Sequence, residues 1–92
     1  MLALELEVHI ASSHSLKDRR QVVQAVLNGA RHRFGVSAAE VSGQDTWQRA
    51  GLGFAVVSSS VTQAEEVMDN VDRFVWSHPE LEVISTERTW ME

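Results

Sequence analysis

The side chains best placed to do chemistry in this 92-residue chain are four histidines, two serine runs and several close-set carboxylates; cysteine is absent. Without thiols there is no disulfide framework, no thiolate metal site and no cysteine nucleophile. Glu5, Glu7 and His9 alternate along one stretch and could project from one strand face. A metal needs three or four converging ligands, and nothing near them in sequence supplies the rest, so a solvated strand face is the simpler expectation. His14, His32 and His78 have no second ligand at a useful spacing. Glu65 with Asp69, and Asp69 with Asp72, are spaced to stack on a helix. Paired carboxylates work as acid and base only where burial or crowding separates their pKa values, and these fall on a polar helix side. Ser12-Ser13-His14-Ser15 and Ser58-Ser59-Ser60 lack a nucleophile elbow and precede helical segments, where serine serves as cap or turn former. Gly51-Leu-Gly53 lies inside a strand pattern and opens no helix, so it is not a dinucleotide fingerprint. The expectation is a chain with no catalytic, metal or cofactor residues.

The charge distribution is more informative than the net charge of −5. Five of the eight Lys and Arg residues lie between Lys17 and Arg33, opposed only by Asp18, whereas the stretch 62–78 carries Glu65, Glu66, Asp69 and Asp72 against Arg73. On a helical wheel at about 100° per residue, Arg20, Arg31, Gln24, Lys17, Asn28, Gln21 and His32 fill one continuous arc with no acid in it. Solvated helix faces usually mix signs. Lys17, Arg19 and Arg20 crowd the first turns, where the helix dipole disfavours cations and where free amides suit an anion. Lys17, Arg19, Arg20, Gln24 and Arg31 are therefore the candidate anion- or RNA-binding residues. The competing account is that these cations pair with the acidic second helix.

These residues must be held by a small set of elements. Leu2, Leu4, Leu6, Val8 and Ile10 alternate with Ala3, Glu5, Glu7 and His9, which reads as a half-buried strand. Residues 15–34 have helical period, with Leu16, Val23, Leu27, Ala30 and Phe34 on a stripe flanked by Val22 and Val26; Ser15 and Asp18 fit a capping box, and Gly35 a stop. Residues 36–42 and 47–58 read as a hairpin across Ser-Gly-Gln-Asp. Ala50, Leu52, Phe54 and Val56 share one face of its second strand; Trp47, Arg49, Gly51, Gly53 and Ala55 share the other. Residues 62–78 form a second helix, with Thr62 and Glu65 as its box and His78-Pro79 as its end. Residues 81–91 form a last strand of mixed phase, and adjacent Val83 and Ile84 point to a bulge. The β-α-β-β-α-β order predicts one domain over 1–92 of α+β class: a ferredoxin-like four-stranded antiparallel sheet with two helices on one face. Leu4, Leu6, Val23, Leu27, Phe54, Val56, Val67, Val71 and Phe74 are its expected core. The other sheet face stays open, and Trp47, Arg49, Gly51, Gly53 and Trp90 are candidates for an interface there, since two glycines on one face permit close approach.

Three motifs make the chain resemble the YlxP-like family of small bacterial proteins of unknown function: Ser15-Leu-Lys-Asp-Arg-Arg20, Gln44-Asp-Thr-Trp-Gln-Arg-Ala50 running into Gly51-Leu-Gly-Phe-Ala-Val-Val-Ser58, and Glu87-Arg-Thr-Trp90. The family more often has Glu-Lys where this chain has Asp18-Arg19, which keeps the charges. The resemblance implies a ferredoxin-like domain. It also suggests a link to translation, because genes of this family often sit among those for transcription and translation factors. It supplies no catalytic residues.

The N-terminus has no basic region before its apolar residues, and Glu5 and Glu7 interrupt them, unlike a signal peptide. No apolar stretch approaches the ~20 residues needed to span a bilayer. The expectation is a cytoplasmic, non-enzymatic binding module that meets the ribosome or RNA through its first helix. The alternative is a scaffold or regulatory domain that self-associates, or holds a small ligand, on its open sheet face.

Overall fold

In the computed structural model, residues 1–11, 15–43 and 48–91 are described. The elements run β1 (Leu2–Ile10), α1 (Leu16–Phe34), β2 (Ser37–Ser42), β3 (Arg49–Val56), α2 (Val61–Trp76) and β4 (Leu81–Trp90). The strands form one antiparallel sheet in the order β2-β3-β1-β4, with β1 in the centre. This is the expected ferredoxin-like α+β arrangement. Leu2, Leu4, Leu6, Val8 and Ile10 are all buried, as their alternation requires. They meet Ala50, Leu52 and Phe54 from β3, Val23, Val26, Leu27 and Ala30 from α1, and Ala64, Met68, Val71 and Val75 from α2. Val56, Val67 and Phe74 pack against this core but are only partly buried.

The helix ends follow local chemistry. Ser15 caps α1 by accepting from the Asp18 amide, and Gly35 ends it at φ +66°, a left-handed conformation that favours glycine. The start of α2 differs from the Thr62–Glu65 box. Ser60 is the cap, accepting from the Gln63 amide, while Ser58 Oγ donates to Gln63 Oε1 and accepts from the Ser60 amide. Three hydroxyls in a row offer several registers, and the Gln63 side chain selects the earlier one. Gly29 also has a packing role. A β-carbon there would sit 2.6 Å from Phe74 Cζ, so the absent side chain lets α2 press its phenylalanine against α1.

The bulge in β4 lies where the adjacent apolar pair places it. Glu7 pairs with Ser85 and Val8 with Val83, leaving Ile84 as the extra residue. One extra residue reverses the phase of everything after it. Thr86, Arg88 and Trp90 therefore face the helices opposite Leu6, Leu4 and Leu2, while Ser85, Glu87 and Thr89 face outward.

Candidate functional site: the exposed face of the first helix

The Leu16 to Phe34 helix buries a narrower stripe than its apolar residues predict. Leu16 is 53% exposed, and Arg19 takes the core-facing place in the first turn at 5% exposed. Arg19 pairs with Glu40 of β2 and donates Nη2 to the Gly43 carbonyl at 2.7 Å; Nε and Nη2 both reach the Arg49 carbonyl, at 3.1 and 3.0 Å. The guanidinium ties the start of α1 to the end of the β2–β3 hairpin. This corrects the assignment of Arg19 to the anion-binding set: its charge and donors are used inside the fold. The wheel held the signal. Arg19 stands four residues before Val23 and seven before Val26, on the line of the buried stripe, and Glu40 alternates inward on β2.

The other candidates are at the surface. Lys17, Arg20, Gln21, Gln24, Asn28, Arg31 and His32 are all exposed. Arg31 donates to Asn28 Oδ1 at 2.6 Å and to the Ala38 carbonyl of edge strand β2. Two of its five donors are thereby fixed, and its head is held at the surface. Lys17 and Arg20 make no ion pair among the described residues. Gly29, the point of contact with α2, lies about 180° around the wheel from Arg20 and about 120° from Lys17. The basic face thus looks away from α2, towards the β2 side and solvent.

Two of the acids of α2, Glu65 and Asp69, have another partner. Arg88 of β4 donates Nη1 to Glu65 at 2.8 Å and pairs through Nη2 with Asp69 at 2.8 Å, and Trp90 Nε1 donates to Glu65 at 3.2 Å. Burial alone would lower the Arg88 pKa, but hydrogen bonds and charge from Asp69 and Glu65 hold it above its ordinary value. Arg88 is therefore a fixed cation. Replacing it with Met is expected to lower stability by ~1 kcal/mol, because the pair is partly solvated. The loss should shrink in high salt, and chemical denaturation at two salt concentrations checks both points.

Trp90 is thereby removed from the open sheet face, where it was expected. The bulge at Ile84 turns its ring to the helix layer. The open face carries four cross-strand rows: Ser37–Ala55–Ala3–Thr89, Ala39–Gly53–Glu5–Glu87, Ser42–Gly51–Glu7–Ser85 and Arg49–His9–Glu82. Arg49 Nη1 pairs with Glu7 at 2.9 Å, and His9 lies 3.9 Å from Glu82. Among the described residues no group of three or more His, Asp or Glu side chains converges on a common point. Gly51 and Gly53 are needed by the sheet's own edge. A β-carbon at Gly51 would meet Ser42, and one at Gly53 would lie 2.8 Å from Val41 Cγ1. The β2 bulge between Glu40 and Ser42 lays both side chains over the glycines. Trp47 and the turn at 44–47 lie outside the described residues, as does the run 12–14. No helix is long and apolar enough to cross a membrane, among the described residues.

The motifs that suggested a family thus have structural meaning: Ser15 and Arg19 cap and clamp α1, Gly51 and Gly53 admit β2, and Arg88 and Trp90 hold α2. The chain is similar in fold to the structured domain of Drosophila melanogaster Boca, with a TM-score of 0.57 over 98% of this chain and 99% of that one; at 12% identity the likeness concerns the fold alone. It is 41% identical over 86 residues to the uncharacterized protein YlxP of Bacillus subtilis (strain 168), covering 94% of each protein. A family model matches residues 1–88, and the chain belongs to that family, described as a protein of unknown function (DUF503).

Proposed function

We propose that this domain is a non-catalytic module of the cytoplasm that binds ribosomal or other structured RNA through the exposed face of α1. The observation that carries the reading is that Lys17, Arg20 and Arg31 stand on a face free of acids and turned away from α2, whose Glu65 and Asp69 are already engaged by Arg88. Lys17 and Arg20, which make no ion pair among the described residues, and Arg31, with two of its donors engaged, need another reason to be gathered on one helix of a chain of net charge −5. Phosphate supplies one. The acidic α2 and open sheet face would point away from the RNA.

Self-association through the open sheet face is the weaker reading. Glu5 lies directly opposite Glu87, and Glu7 and Glu82 occupy the adjoining rows with Arg49 as the nearby arginine. A two-fold pairing of such faces sets each patch against itself, and like charges across an interface are costly.

Sedimentation of cell extract tests the choice. The protein is expected to travel with ribosomal particles at low salt and to leave them as salt rises. With purified RNA, three phosphate contacts predict that log K falls with log salt by a slope of ~2–3. A discrete small oligomer that ignores salt would replace this reading with the second.

A further inference from the structure

The arrangement of side chains along α1 narrows the kind of RNA; this inference rests on reading α1 as the binding face. The cations stand at its two ends, Lys17 and Arg20 near the start and Arg31 near the finish, and Gln21, Gln24 and Asn28 lie exposed between them. From Lys17 to Arg31 the helix advances ~21 Å. Cations at the ends suit phosphates flanking a groove, and carboxamides in the middle suit hydroxyls and base edges on its floor.

Among the described residues this face of α1 carries no phenylalanine, tyrosine or tryptophan. Proteins that hold single strands stack bases on aromatic rings, and the exposed tryptophans among the described residues are elsewhere. Trp90 is on β4, the sheet edge furthest from β2. Trp76 lies about 160° around α2 from Phe74, which touches α1, so it looks away from the basic face. Val23, Val26, Leu27 and Ala30 bury one side of α1 against the sheet, so about half of a ~10–12 Å helix stands clear. The minor groove of A-form RNA is wide and shallow and displays 2′-hydroxyls, and a half-buried helix can lie across it.

We infer that α1 docks on the minor groove of double-stranded RNA, with Lys17, Arg20 and Arg31 on phosphates and Gln21 and Gln24 on 2′-hydroxyls. The probes are a labelled RNA duplex of about 20 base pairs, longer than the ~16 that known double-stranded RNA modules span, the DNA duplex of the same sequence, and the separate RNA strands. Anisotropy at low salt is expected to show the RNA duplex bound at least tenfold more tightly than the others. A Gln21→Ala, Gln24→Ala double variant should keep its helical circular dichroism and lose most of that preference. Equal binding of the two duplexes, preference for a single strand, or an undiminished preference in the double variant would overturn the duplex assignment and leave α1 as a nucleic-acid face. Absence of binding to every probe would overturn both.

Discussion

Reversing Lys17 and Arg20 to glutamate is expected to abolish RNA or ribosome association while leaving the fold intact. Each charge-assisted contact contributes ~1.5–3 kcal/mol, so losing two should weaken binding by about 100-fold or more before repulsion is counted. The salt slope should fall by about two contacts' worth, to ~1. The fold has little reason to object. Both side chains are exposed and make no ion pair among the described residues. Position 17 lies two residues beyond the Ser15 cap, where the helix dipole favours an acid by ~0.3–1 kcal/mol. The melting temperature should hold or rise by a few degrees, since ~1 kcal/mol is worth ~4–8 °C in a domain this small. A melting curve and a salt titration on one protein sample check the result. A marked fall in melting temperature would show that these cations stabilise the fold itself.

Removing Arg19 should have the opposite signature. In Arg19→Met the Glu40 side chain, 16% exposed, loses its cation, and the carbonyls of Gly43 and Arg49 each lose a donor. Breaking one side of a buried pair costs ~3–5 kcal/mol, a large share of the ~5–15 kcal/mol that keeps a domain folded. The double change Arg19→Met, Glu40→Met removes both charges and should recover much of that loss, because an apolar pair of similar volume is often as stable as a buried ion pair. Arg19→Lys should recover less, since one ammonium cannot reproduce the forked donation to two carbonyls and a carboxylate. Urea unfolding of the four proteins tests this. Equal stabilities for Arg19→Met and the double variant would show that Glu40 is not the group left stranded. Because Arg19 is spent internally, RNA affinity of any variant that still folds should stay close to that of the parent.

The sequence by itself determined the elements and their order. Period-two burial in β1, the serine cap and glycine stop of α1, the bulge next to Val83 and the inward face of β3 all depend on residues close in the chain, so local chemistry was enough to read them. It also showed that the cations of α1 share an arc with no acid. Which of those cations are available was decided by tertiary structure. Arg19 and Arg20 are neighbours of identical type, yet one lies over the hairpin end beside Glu40 and two carbonyls while the other faces solvent. A 100° step separates them, and only the position of Glu40 on β2, 21 residues along the chain from Arg19, gives that step its consequence. The acids of α2 were equally undecided until β4 was placed. Arg88 and Trp90 reach Glu65 because a single extra residue at Ile84 reverses the strand's phase, and the energy of that choice comes from burying one set of side chains on a sheet whose other face stays wet.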